Sequence, residues 1–323
     1  MLTSLFRSKA ILGLFLTYAL RGLLIGVVWY LAPNTGAVSE LLSTHWAFVW
    51  AEQLTTFIPI IGIILATGAA LVGRIRFREI KETLGSRNLS TLAFASIIAS
   101  QHKPLLARPD VMAASLVLIA VFMLIFFTYK KESVLSEIFH VGLGIGLASL
   151  FVGQSILLVM AVAFSLLMLR TGSLKEWIVF LLGLGMTAVF ISLAVVWTEV
   201  PILSFKRVIQ SAWMAQVSVS SLSVGHIVLL VLVALSFTTA LSNITAGTVH
   251  LRNISLVNLG WVAGVVLMIV ILGVDWQAGF VLAAFPISQF IAKMLESINR
   301  WWLADILLLL LIAAPILSIL LPL

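Results

Sequence analysis

Apolar residues run almost unbroken through 10–32, 46–73, 91–107, 111–129, 134–151, 154–169, 177–197, 222–242, 256–273, 277–292 and 303–323, with at most one or two ionisable interruptions in each run. A membrane-crossing helix takes about 20 such residues. The pattern therefore predicts eleven spans in an all-α, polytopic helical bundle, a single integral membrane domain over 1–323. Three stretches depart from it. Thr91 to Ser100 is short before the polar Gln101, His102, Lys103 and Pro104, which suits a short, broken or re-entrant element. Phe139 to Leu169 must turn back at Gly153-Gln154 and is tight for two crossings. Glu199 to Val219 carries Lys206, Arg207, Gln210 and Gln216, with Ile202, Phe205, Ile209 and Trp213 at helical spacing. That spacing predicts an amphipathic segment along the interface.

Composition removes the soluble alternatives. Of 323 residues, 62% are hydrophobic and 10% charged, against roughly a quarter charged in a soluble domain. With no cysteine, thiolate metal sites, thiol nucleophiles and disulfides are excluded. The first apolar run is long, is interrupted by Arg21 and ends at Trp29 and Tyr30. It reads as a permanent span and not as a cleavable signal.

The net charge of +7 changes the picture only when sorted by side. With the N-terminus inside, 14 of the 19 Lys and Arg fall on inner segments, while Lys103, Arg108, Lys206 and Arg207 fall outside and Arg21 lies within the first span. The positive-inside bias then predicts an N-in, C-out orientation, and no nucleic-acid partner. Trp29, Trp46, Trp50, Trp177, Trp197, Trp276, Trp301 and Trp302 lie near span ends, as interfacial belts do.

The charges that topology does not explain are the candidate chemistry. Arg21 is costly within a span and pairs most simply with Glu52 of the second; a structural ion pair is the equal alternative. The segment from Gln101 to Asp110 holds His102, Lys103, Arg108 and Asp110 between two prolines, and cations held at an outer face suit a phosphate or pyrophosphate. The plain alternative is a solvated turn, with Asp110 capping the next helix. Glu40 in the first outer loop is a candidate general base, with His45 a second acid–base group. His140 and His226 have no second ligand at helical spacing, so they read as hydrogen-bonded helix residues, and no metal or other cofactor is expected. Asp275 and Asp305 read as helix-end residues. Gly142, Gly144, Gly146, Gly183 and Gly185 read as close-packing positions.

Two resemblances follow from particular residues. The stretch Ile138-Phe139-His140-Val141-Gly142-Leu143-Gly144-Ile145-Gly146, with Leu169-Arg170, Lys175-Glu176-Trp177, the opening Met1-Leu2-Thr3-Ser4-Leu5-Phe6 and the closing Arg300-Trp301-Trp302-Leu303-Ala304-Asp305, resembles a family of uncharacterised multi-pass bacterial inner-membrane proteins. That likeness implies a class and no chemistry. Over 1–170, the order of a span, an outer loop, a returning span, a basic elbow, a short third span, Ala107-Arg108-Pro109-Asp110 and a Gly-rich fifth span resembles the N-terminal module of C-superfamily membrane glycosyltransferases; 171–323 would be additional spans. The likeness implies a polyprenyl-phosphate-linked sugar bound at the outer face, with Glu40 as base and Arg21, Glu52, His102, Lys103, Arg108, Asp110, Lys206 and Arg207 around the substrate. The chain departs from that pattern in having only Glu40 where an acidic pair is usual, and Gly153-Gln154-Ser155 where a basic residue is common. Three functions stay open: such a transferase, a transporter or flippase of a small or lipid-linked anion, and a non-catalytic partner of another membrane subunit. Membrane lipids are partners in every case.

Overall fold

A computed structural model describes residues 87–101, 109–129, 131, 133–170, 173–198 and 223–321. Its elements are helices, numbered from the first described: α1 Arg87–Ser100, α2 Pro109–Phe127, α3 Leu135–Phe151, a 3-10 turn Gly153–Leu157, α4 Leu158–Leu169, α5 Leu174–Thr198, α6 Val224–Ala246, α7 Val249–Leu272, α8 Trp276–Leu282, α9 Ala284–Ser297 and α10 Trp301–Leu320. The all-α class holds for these residues. Four helices are long and apolar enough to cross a membrane, Asp110–Phe127, Val224–Ser242, Leu251–Leu272 and Trp301–Leu320. Taken as one span, α8 with α9 makes a fifth. Such helices in so apolar a chain make this a membrane protein. Leu181, Leu182, Leu193, Val270 and Ile271 point outward, as side chains facing lipid do. The runs 10–32 and 46–73 and the segment 199–219 lie outside the described residues.

Of the three segments marked as irregular, the first two fall among the described residues. The described part of α1 covers 14 residues and stops at Ser100, with Gln101 in a turn. The turn after α3 is a 3-10 segment with Gln154 and Ser155 buried, followed by a 12-residue α4. The run 277–292 is not one straight helix: α8 and α9 meet at 69°. Pro286 explains the break, because it has no N–H for the carbonyl of Leu282 and its ring collides with that carbonyl in a continuous helix. Ser115 of α2 donates to the neighbouring Val281 carbonyl at 3.2 Å, which helps satisfy backbone at the bend. Helix α7 opens on Thr248, whose hydroxyl accepts from Leu251 N, and closes on Gly273 at φ 64°, the left-handed conformation that glycine adopts without penalty.

The most extensive packing lies between α3 and α5. A Cβ on Gly142 would strike the Phe180 carbonyl oxygen and stand 3.0 Å from Leu184 N; one on Gly183 would strike the Phe139 carbonyl oxygen and stand 3.0 Å from Leu143 N. The two contacts match because the two sequences match: Phe139-His-Val-Gly-Leu-Gly recurs as Phe180-Leu-Leu-Gly-Leu-Gly. The helices run parallel and each offers its glycine to the other's backbone, the small-residue arrangement of membrane helix pairs. Gly144 receives Val121 of α2, and Gly146 receives Thr187. Gly185, also read as a packing position, has nothing within 4 Å of its would-be Cβ, because no described helix covers that face of α5. Deeper in the bundle, edge-on rings link four helices. Phe122 of α2 meets Trp261 of α7 and Phe285 of α9, each at 5.2 Å, and Phe285 meets Phe94 of α1 at 6.5 Å.

Candidate functional site

Helix directions sort the polar residues into two ends. The Asn253 amide donates to the Met168 carbonyl at 3.1 Å, so α7 starts where α4 finishes. The His226 ring stands 4.9 Å from that of Trp276, and Val224 N donates to the Leu321 carbonyl, so α6 and α8 start where α10 finishes. Ser115 brings the start of α2 to the same place. Consequently Lys131, Arg170, Lys175, Arg252 and Arg300 lie at one end, with Lys293 in the second half of α9, toward it. No described Lys or Arg lies at the Trp276 end, where Asp110 and Asp275 are the carboxylates.

At the Trp276 end polar side chains are buried in unusual number for so apolar a chain: Gln101, Asp110, Ser115, Gln154, Ser155, Ser223, His226 and Gln277. Most have identifiable local duties. Asp275 caps α8 through Gln277 N, at 3.5 Å. Ser223 and His226 cap α6 reciprocally: Ser223 N donates to His226 Nδ1 at 3.2 Å, His226 N donates to Ser223 Oγ at 3.4 Å, and Oγ and Nδ1 lie 2.7 Å apart. This is a capping box with imidazole in place of the usual carboxylate, and it makes His226 the hydrogen-bonded helix residue expected of it. Gln101 Nε2 donates to Ser100 Oγ at 3.2 Å. Hydrogen-bonding capacity nevertheless remains: Gln101 Oε1, Ser96 Oγ and Ser155 Oγ are buried with no partner, as are Asn258 Oδ1 and Trp261 Nε1 on α7. Each such group costs about 1–3 kcal/mol unless something else pairs with it.

Of the sequence-predicted site residues, the described part holds one. Asp110 is 4% exposed in the first turn of α2. It stands one residue inside the helix, where a carboxylate favours the N-terminal dipole. Arg21, Glu40, Glu52, His102, Lys103, Arg108, Lys206 and Arg207 lie outside the described residues, as does His45. Gln101 and Asp110 bracket the segment that carries three of them. His140 is exposed, its Nδ1 2.6 Å from the Ser136 carbonyl, and among the described residues no three His, Asp or Glu cluster as metal ligands would.

The opposite end is built from ion pairs. Arg170 Nε lies 2.9 Å from Glu176 Oε1, and Lys131 Nζ lies 2.7 Å from Glu137 Oε1. Arg170 also donates through Nη1 to the Lys131 carbonyl. Ser173 and Glu176 form a capping box at the start of α5, with Ser173 N to Glu176 Oε2 at 3.3 Å and Glu176 N to Ser173 Oγ at 3.4 Å.

No family model, curated protein or solved structure matches the chain.

Proposed function

We propose that the chain is a bacterial inner-membrane protein that binds a polyprenyl-phosphate-linked sugar at the Trp276 end, with that end facing outward. The observation that carries this reading is the set of polar groups buried at the end opposite the cations, among which Gln101 Oε1 and Ser155 Oγ have no hydrogen-bond partner. Gln101 and Asp110 belong to it, and between them the sequence supplies His102, Lys103 and Arg108. Under the positive-inside bias the Lys131 end is cytoplasmic, in keeping with an N-in chain of eleven spans. Lys103 and Arg108 would hold the phosphate, joined by His102, Lys206 and Arg207, while Glu40 would serve as base in a transfer and Arg21 with Glu52 would line the approach. This follows the likeness of 1–170 to the C-superfamily glycosyltransferase module.

The test uses the full chain in nanodiscs, comparing a polyprenyl phosphate, its sugar-linked form and the neutral polyprenol. Charge-assisted hydrogen bonds are worth about 1.5–3 kcal/mol each, so Lys103→Gln with Arg108→Gln is expected to weaken phosphate binding roughly tenfold or more and to leave the polyprenol unchanged. Glu40→Ala is expected to stop sugar transfer and keep binding. Equal binding of phosphate and polyprenol would sink the proposal. Flux of the bound lipid in proteoliposomes, without transfer, would move the assignment to a flippase.

One observation favours a second reading, that of an assembly partner. The face of α5 around Gly185 is exposed and apolar, while the matching face of α3 at Gly144 is filled by α2. Because the chain has no cysteine, Gly185→Cys would report a neighbouring subunit by cross-linking in intact membranes.

A further inference from the structure

At the Lys131 end the charges do not cancel evenly. Glu137 takes Lys131 and Glu176 takes Arg170. Lys175 and Arg252 are left exposed, and among the described residues neither has an ion-pair partner. Both are braced against the end of α4. Lys175 sits beside Glu176, which Arg170 holds, and Arg252 sits beside Asn253, whose amide is bound to the Met168 carbonyl. Next to each cation is a strongly exposed apolar side chain, Leu174 at 78% and Val249 at 64%, with Leu167 of α4 at 57%. Cations with no partner, bordered by apolar surface at a helix end, stand where a bilayer changes from acyl chain to phosphate, and long basic side chains reach that level readily.

We infer that Lys175 and Arg252 form a binding surface for the phosphodiester headgroup of an anionic phospholipid, whose acyl chains lie along Leu167, Leu174 and Val249. The surface is separate from the Trp276 end and does not depend on what binds there. A soluble phosphate would have no use for the three exposed apolar side chains. A general attraction of the whole basic end would act equally on Lys293, half-buried in α9, and on Arg300, exposed at the start of α10, and these two serve as the comparison.

The experiment is native mass spectrometry of the full chain in mild detergent with added phosphatidylglycerol or phosphatidylethanolamine. Wild type is expected to retain phosphatidylglycerol preferentially. Lys175→Gln with Arg252→Gln should reduce that retention roughly tenfold or more, at about 1 kcal/mol per basic residue. Lys293→Gln with Arg300→Gln should leave it in place, and the charge-keeping pair Lys175→Arg and Arg252→Lys should preserve it. The inference is overturned by equal loss in both Gln pairs, by unchanged retention in Lys175→Gln with Arg252→Gln, or by equal retention of the zwitterionic lipid. Displacement by millimolar glycerol 3-phosphate would overturn it too, since the site would then be one for a soluble anion.

Discussion

Gly142→Val and Gly183→Val are each expected to unfold the α3–α5 contact, at a cost of about 3 kcal/mol or more. A new Cβ at either position meets a backbone carbonyl oxygen of the partner helix and, 3.0 Å away, a backbone nitrogen. No rotamer change can relieve a collision with backbone, so the helices must separate. Separation also loses the Thr187–Leu143 contact, where Thr187 Oγ1 donates to the Leu143 carbonyl at 3.4 Å. Gly185→Ala is the control on the same helix and in the same repeated motif. It has open space, and replacing a mid-helix glycine by alanine is worth about 0.5–1 kcal/mol in favour of the helix. Melting of the purified protein followed by tryptophan fluorescence should rank Gly142→Val and Gly183→Val far below wild type and Gly185→Ala at or slightly above it. Equal tolerance at all three positions would show that α3 and α5 do not pack this way.

Hydrophobic runs predict helices well here because a chain this apolar has few other ways to satisfy its backbone in lipid. The ends of α2, α6 and α10 fall within a few residues of the predicted runs, while α7 begins at Val249, before the run at 256. The run 277–292 is apolar throughout while its helix bends by 69°, and Pro286 was the visible signal of the break. Also in plain sight was the recurrence of Phe-x-x-Gly-Leu-Gly at Phe139 and Phe180. Reading those glycines singly, as small residues, identified four packing positions correctly. Gly185 meets no described helix, because whether a motif is covered depends on which helix lies beside it, and a sequence window does not carry that information.

The candidate site was legible to a different degree. Asp110 was singled out as a helix cap or a ligand to substrate, and it lies buried in the first turn of α2. The burial of Gln101, Gln154, Ser155 and Ser223 was not foreseen. Single polar residues in apolar runs give no periodic signal, and their gathering at one end comes from helix directions set by long-range contacts such as Asn253 with Met168. Ser173-x-x-Glu176 and Ser223-x-x-His226 before apolar runs were, by contrast, readable as capping boxes. The first explains why Glu176 is held at the start of α5, where it can meet Arg170.

That meeting carries the second large effect. Arg170 joins three segments, pairing with Glu176 of α5, donating to the Lys131 carbonyl between α2 and α3, and closing α4. The Arg170 side chain is 23% exposed and that of Glu176 10%, so the pair is neither a surface bridge worth a few tenths nor a fully dry one. Arg170→Met leaves a nearly buried carboxylate without its cation and a carbonyl without its donor, and is expected to cost about 2–3 kcal/mol, below the range for fully buried pairs. Glu176→Gln keeps an oxygen for Ser173 N and loses the charge, at about 1 kcal/mol. The double variant removes both charges together and should cost less than the two single variants summed, by about 1 kcal/mol or more, as directly interacting residues do. Additive costs in the same fluorescence melts would mean that Arg170 works through the Lys131 carbonyl and not through Glu176. A shortfall in the sum identifies the ion pair as the link between α4 and α5, two consecutive helices with few other contacts.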